Sequence, residues 1–248
     1  MDQSGIRRLE CLAFNAWPSL RTVLRDGWVL RFAEGHTKRA NSASALWPVD
    51  GISLDARIAA FEADYRRAGL APIFRLTPLA EPGLDAALAA RDYVRLDESL
   101  VLTAELPATP GRMPADVEID ADPELGWLDD LARAAGATGR ERGSVGRILD
   151  CLAAPAAFAR VRQAGVPLAF GMGVVENGHL GIFEVLTVPD ARGRGFGRRA
   201  IEALFVWARA RGATRAYLQV TEANAPARAL YAALGFSTAY AYGYRRAR

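Results

Sequence analysis

The feature that most constrains the fold is a repeat. Both halves of the chain show the order strand, helix, strand, helix, strand at an offset of 143 residues, which places Ile58 on Ile201 and Gly69 on Gly212. Few residues are identical, so the shared order of predicted elements carries the argument. A chain of 248 residues also has room for two domains of ordinary size. The repeat therefore predicts two related α/β units in tandem.

A proline-rich break separates the two units. The stretch PATPGRMPAD (107–116) places three prolines and a glycine between patterned segments. We predict domains at 1–108 and 115–248. The expected fold class is α/β (α+β), with mixed sheets flanked by helices in both units and the C-terminal unit complete. The predicted elements include a helix at 52–70 capped by Ser53, a helix at 197–210 and a polar strand at 36–44.

Composition and charge exclude several classes of protein. The formal net charge of +3 slightly favours small anionic ligands and is far from the basic surface of a nucleic-acid-binding protein. No apolar run reaches the roughly 18 residues of a membrane-spanning helix, and the N-terminal residues contain none long enough for a signal peptide. Cys11 and Cys151 lack the spacing of a metal site. We expect a cytoplasmic protein with no metal, no membrane contact and no nucleic-acid partner.

One loop combines glycines and arginines directly before a helical pattern, in VPDARGRGFGRRAIEAL (188–204). The start of a helix has backbone N–H groups without partners and a partial positive charge, and glycines let these groups close around an anion. The run matches neither a P-loop nor the G-x-G-x-x-G dinucleotide motif. It predicts a diphosphate site, and the alternative is a turn with solvated arginines. The candidate residues are Arg192, Gly193, Arg194, Gly195, Phe196 and Gly197.

Two segments resemble motifs of one protein family, the GCN5-related N-acetyltransferases (GNAT). The signature of motif A, Arg/Gln-x-x-Gly-x-Gly/Ala, falls on Arg192, Gly195 and Gly197. The segment NAPARALYAALGF (224–236) resembles the family's Asn-x-x-Ala-x-x-Leu-Tyr-x-x-x-Gly-Phe pattern. The resemblance covers about residues 117–244. The first half resembles the degenerate copy of tandem family members.

The resemblance implies acetyl-CoA as co-substrate, with its diphosphate on the glycine-rich loop. The strand before that loop would splay from its neighbour and offer backbone groups of Leu186 and Val188 to the pantetheine arm. The N–H of Val188 or Leu186 would also stabilise the oxyanion. Asn224 would either orient the co-substrate or cap its helix.

Two residues are candidates for acyl transfer from a thioester to a primary amine. A lysine-like amine with a pKa near 10.4 needs about 4.6 kcal/mol to become neutral at pH 7, so a general base helps. Glu184 in GIFEVLTV is the candidate base, and the alternative is a glutamate that faces solvent or pairs with an arginine. Tyr231 matches the family's general acid, and the alternative is a tyrosine packed under the sheet. No well-placed Cys or Ser nucleophile is evident, so we expect direct attack by the amine.

The first half lacks this constellation, because the repeat places Leu88 opposite Tyr231 and Asn41 opposite Glu184. Arg39 and Asn41 in its polar segment would either contact an acceptor or form a half-exposed strand edge. The expected acceptor is a small-molecule or peptide amine, and the chain is compatible with a homodimer. Two other functions stay open: a non-catalytic acyl-CoA-binding regulator and an aminoacyl-tRNA-dependent transferase.

Overall fold

A computed structural model describes residues 1–109, 111–123 and 126–248. These residues form two compact units. The first contains Met1–Val101, Thr221–Ala223 and Ala239–Arg248, and the second contains Leu102–Val220 and Asn224–Thr238. Within the predicted break at 107–116, Pro110 lies outside the described residues.

The helices and strands alternate along the chain. The first part contains α1 (Gln3–Ala16), β1 (Arg21–Arg25), β2 (Trp28–Phe32), β3 (Ala43–Ala45), α2 (Leu54–Arg67), β4 (Ile73–Leu76), α3 (Leu84–Ala89) and β5 (Val94–Glu105). The second part contains β6 (Val117–Asp120), α4 (Trp127–Ala135), α5 (Gly139–Leu149), β7 (Ala156–Gln163), β8 (Val166–Glu176), β9 (His179–Thr187), α6 (Phe196–Arg209), β10 (Arg215–Thr221), α7 (Ala225–Ala232) and β11 (Ser237–Arg246). None of the described helices is both long and apolar enough to cross a lipid bilayer.

The first unit is a mixed sheet in the order β1-β2-β3-β4-β11-β5. The β3–β4 pair is parallel, whereas β1–β2, β2–β3 and β4–β11 are antiparallel. One face of this sheet packs on α2 and α3 through an aromatic core that includes Trp28, Phe61 and Phe74. This unit therefore has a hydrophobic core of its own.

Helix α1 belongs to the first unit and is tied to it by buried charges. Glu10 of α1 is 0% exposed and accepts two hydrogen bonds from Arg75 of β4, at 2.6 and 3.0 Å. Tyr240 of β11 donates to the same carboxylate at 2.6 Å. At the end of α1, the buried guanidinium of Arg31 donates to main-chain carbonyl oxygens, including that of Trp17. These contacts satisfy polar groups that would otherwise be costly to bury.

The second unit is a mixed sheet in the order β5-β10-β9-β8-β7-β6. The β9–β10 pair is parallel, and β6–β7, β7–β8 and β8–β9 are antiparallel. Helix α6 packs closely on β8, because a Cβ atom at Gly171 or Gly173 would lie only 3.3 or 3.0 Å from the side chain of Leu204. This packing fixes the start of α6 relative to the end of β9.

The structure confirms the predicted α/β class with mixed sheets flanked by helices. At the offset of 143 residues, α2 falls on α6 to within one residue, and β4 and α3 fall inside β10 and α7. The predicted N-cap at Ser53 is present, since its hydroxyl accepts from the N–H of Ala56 at 3.3 Å. The predicted domains, 1–108 and 115–248, follow chain order, whereas the compact units assign Ala239–Arg248 to the first unit.

Two local predictions need correction. The prediction assigns no element to residues 1–26, where the structure has α1 and β1. The predicted strand at 36–44 is mostly a loop containing the 3₁₀ turn Lys38–Ala40, and only Ala43–Ala45 form a strand. Among the polar side chains of this segment, Asn41 forms hydrogen bonds to the backbone of the loop, as described below.

Candidate active site

An open pocket of about 600 Å³ lies in the second unit, where β9 ends and α6 and α7 begin. It is lined by side chains and backbone from these three segments. Its lining residues include Val185, Leu186, Thr187, Arg192, Gly193, Gly195, Phe196, Gly197, Arg198, Asn224, Leu230 and Tyr231. The structure thus brings together most of the residues predicted to hold the co-substrate, and one of the two catalytic candidates.

The pocket opens where two parallel strands separate. Strand β10 pairs with β9 only from Arg215 to Leu218, opposite His179 to Ile182. Both strands continue beyond this point, β9 to Thr187 and β10 to Thr221. The last residues of β9 therefore have a free edge toward the gap between the two strands. An extended ligand can pair with such an edge as an additional strand does.

A β-bulge precedes the free edge and contains Glu184. On β8, Phe170 is opposite Leu186 and Met172 is opposite Phe183, so β9 has one residue more than β8 in this interval. Glu184 has a φ of +49°, in the left-handed region that costs a non-glycine residue about 1–2 kcal/mol. Bulges and left-handed residues both concentrate at functional sites, where they redirect side chains. Glu184 is thus held in a strained backbone conformation next to the free edge, and its role as the base stays a prediction.

The direction of the backbone groups corrects the prediction for Val188 and Leu186. The N–H of Val188 donates to the carbonyl of Leu168 at 3.0 Å, so it is not free for a ligand. Because hydrogen-bonding residues alternate in an antiparallel pair, Leu186 also directs its N–H toward β8. Thr187 directs its backbone groups toward the gap, where its carbonyl accepts from Nε of Arg192 at 3.3 Å. The free edge is therefore displaced by one residue from the predicted positions.

The loop before α6 presents a row of unpaired N–H groups. Gly193 and Gly195 have φ values of +74° and +79°, and a Cβ at either would meet no atom within 4 Å. No described residue accepts a hydrogen bond from the N–H groups of residues 193–198, and the first turn of α6 has no acidic residue. Such a helix start combines free donors with the positive end of the helix dipole. The loop has the geometry of an anion site.

The arginines of this loop point in different directions. Arg192 lies at the pocket, held by its bond to the Thr187 carbonyl. Arg194 instead donates to the Gln163 side chain at 2.8 Å and stacks on Phe196, so it does not line the pocket. Arg198 does line it, although the prediction did not include this residue. Its signal is a cation directly after Gly197, at the third position of the helix, where a P-loop has its lysine.

Tyr231 lies on α7 and faces the pocket. Asn224 begins this helix, and its side chain accepts from the N–H of Ala227 at 3.2 Å, which confirms the capping role. Burial raises the pKa of Tyr231 to about 12. Its hydroxyl is therefore protonated at neutral pH and available as a donor.

Arg39 and Asn41 of the first unit make different contacts. Asn41 is buried, and its amide makes four bonds to the backbone of Ala33, Gly35 and Thr37 at 2.7–3.3 Å. Its amide therefore holds its own loop, and the contact with an acceptor stays a prediction. Arg39 packs its guanidinium over Trp17, at 4.9 Å from the ring centroid.

Comparisons with known proteins agree with this architecture. Residues 3–245 match the protein family described as probable histone acetyltransferase Rv0428c C-terminal. The Bacillus subtilis (strain 168) protein named uncharacterized N-acetyltransferase YobR is 30% identical over 246 residues, which cover 97% of this chain and 98% of the relative. A solved GCN5-related N-acetyltransferase from Kribbella flavida is 18% identical with a TM-score of 0.71, covering 97% of this chain and 95% of the other. A tandem GNAT protein from the clavulanic acid biosynthesis pathway has a TM-score of 0.66 at 14% identity, covering 97% and 88%.

Proposed function

Since the chain belongs to the family of probable histone acetyltransferase Rv0428c C-terminal, and with it to the GCN5-related N-acetyltransferases, we propose that it transfers an acetyl group from acetyl-CoA to a primary amine. The observation that carries this proposal is the row of unpaired N–H groups at residues 193–198, beside a pocket of about 600 Å³. A diphosphate supplies the acceptors that these donors lack.

The remaining lining fits the rest of the co-substrate. The free edge of β9 pairs with the amide groups of the pantetheine arm, as a backbone strand would. The N–H of Thr187, which points away from β8, takes the role predicted for Val188 and donates to the thioester oxygen as negative charge develops there. Bound acetyl-CoA supplies an activated acetyl group, and the protein positions it.

Glu184 and Tyr231 then move the two protons of the reaction. Glu184 accepts the proton of the attacking amine, directly or through water, while the carbon–nitrogen bond forms and the carbon–sulfur bond breaks. Tyr231 donates its hydroxyl proton to the departing sulfur. A Tyr231 pKa of about 12 lies above that of a free thiol near 8.5, so the hydroxyl keeps its proton until the thiolate forms beside it.

We also propose that the first half is a degenerate copy without a co-substrate site. Its helix α2 corresponds to α6 in the repeat, but the hydroxyl of Ser53 accepts a hydrogen bond from a backbone N–H in the first turn of α2. Asp55 adds a negative charge at the same place. Both features disfavour an anion at this helix start.

Calorimetric titration with acetyl-CoA tests the binding site. Gly195→Ala is the informative variant, and Gly212→Ala is its matched control, because both glycines have φ near +80° and open space at the Cβ position. Both variants pay a similar backbone strain, so we expect a similar loss of stability. Only Gly195→Ala changes the anion site, and we expect it to weaken acetyl-CoA binding at least about tenfold. A folded wild-type protein that binds no acetyl-CoA would refute the proposal.

Thiol release in the presence of amines tests the reaction. The amines should include a polyamine, free amino acids and a lysine-containing basic peptide, the last because the family description names a histone acetyltransferase. Acetyl-CoA binding without thiol release for any of them would favour the non-catalytic regulator instead.

A further inference from the structure

The hydroxyl of Thr187 has no hydrogen-bond partner among the described residues, although it lies beside the start of α6. Thr187 is half-buried and lines the pocket. No described residue forms a hydrogen bond with its Oγ1 atom, while its carbonyl is used by Arg192. Thr187 lies just before the glycine- and arginine-rich loop. The proposed reaction uses its backbone but assigns no role to its hydroxyl.

Gly197 shows where this hydroxyl is directed. A Cβ atom at Gly197 would lie 3.1 Å from Oγ1 of Thr187, which is closer than ordinary side-chain packing. Glycine at this position, the second residue of α6, therefore leaves room for the hydroxyl directly against the helix start. The row of unpaired N–H groups at residues 193–198 includes that of Gly197 itself.

We propose that Thr187 binds the co-substrate through its side chain, with the hydroxyl donating a hydrogen bond to an anionic oxygen of the diphosphate. The inference rests on the proposed function, because it assumes a diphosphate at the start of α6. Its chemistry is complementary, since this helix start supplies several donors for an anionic oxygen: backbone N–H groups, the Thr187 hydroxyl and the Arg192 guanidinium. Hydrogen bonds to a charged acceptor are among the strong ones.

Two substitutions separate the hydroxyl from the shape of the side chain. Thr187→Val keeps the β-branched shape that suits a strand and removes the donor. Thr187→Ser keeps the donor and removes a methyl group. We expect Thr187→Val to raise the Kd for CoA and the KM for acetyl-CoA about tenfold, and Thr187→Ser to keep both within about threefold of the wild-type values.

Inorganic diphosphate is the probe for the position of the contact. It should compete with CoA at the wild-type protein, and its inhibition constant should rise about tenfold in Thr187→Val. Three results would each overturn the inference: Thr187→Val binds like the wild type, the Val and Ser variants lose the same affinity, or diphosphate does not compete with CoA. In each case CoA binding by the wild type would still sustain the proposed function. A wild-type protein that binds neither CoA nor diphosphate would overturn both.

Discussion

The buried carboxylate of Glu10 gives a sharp prediction about stability. Glu10 is fully buried and accepts from Nε and an Nη atom of Arg75 at 3.0 and 2.6 Å and from the Tyr240 hydroxyl at 2.6 Å. Glu10→Gln keeps the shape but removes the negative charge, so the Arg75 guanidinium stays buried without its counter-ion. Breaking a buried pair in this way costs about 3–5 kcal/mol. For a chain of this size that corresponds to a fall in Tm of the order of 10 °C.

Chemical denaturation followed by circular dichroism measures this cost, with Glu105→Gln as the control. Glu105 pairs with Arg215 on the surface at 3.0 Å, with the two side chains 74% and 58% exposed, so its loss should change stability by less than about 0.5 kcal/mol. The double variant Glu10→Leu/Arg75→Met tests the cause, because it removes both charges at once. We expect it to recover most of the stability lost in Glu10→Gln. A loss below about 1 kcal/mol in Glu10→Gln, or a double variant as unstable as the single one, would refute the reasoning.

Three further outcomes follow from the site and its unit. Tyr231→Phe should lower kcat about 100-fold with little change in the KM for acetyl-CoA, measured by thiol release; since burial raises the Tyr231 pKa to about 12, the protonated form persists as pH rises, and kcat should not fall between about pH 9 and 10.5. Burial raises the pKa of Glu118, but hydrogen bonds from Arg162 and Arg160 outweigh this effect, so the pKa is lowered. The carboxylate therefore stabilises the fold above the ordinary glutamate pKa, and this contribution is lost on acidification. Glu118→Gln should accordingly lose less stability than the wild type between about pH 5 and 3. Calorimetry should give one acetyl-CoA per chain, because α2 begins with the Ser53 cap; two sites would contradict the assignment of the first half.

The fold was predictable where periodicity and repeat agreed. The helix at 197–210 is within one residue of α6, and the Ser53 cap lies where its residue type predicts it. Helix α1 carries readable signals too, with Asp2 as its cap and Ile6, Leu9 and Ala13 buried on one face. It lies before the repeated segments, so the repeat does not predict it.

The site was predictable as a set of residue types but not in its backbone directions. Glycines before a helix indicate free N–H groups, and those groups are present. The direction of each N–H in β9 depends on which residues pair with β8, and the bulge at Glu184 shifts that register by one. Neither the residue types of GIFEVLTV nor the family resemblance, which implies Leu186 and Val188, shows this shift. The free hydroxyl of Thr187 became evident only when its packing against Gly197 was visible.

Equivalent positions in the two halves carry side chains of very different size. Gly171 and Ala200 of the second half leave α6 free to approach β8 closely. Their counterparts at the repeat offset are Trp28 and Arg57, whose guanidinium stacks on the indole at 4.3 Å while both side chains bond to Glu81. Large paired side chains there stabilise the first unit, as do the buried charges around Glu10. On our proposal that the second half alone binds the co-substrate, large paired side chains can fill the interior of the first half, whereas the second half keeps small residues, unpaired donors and a strained Glu184.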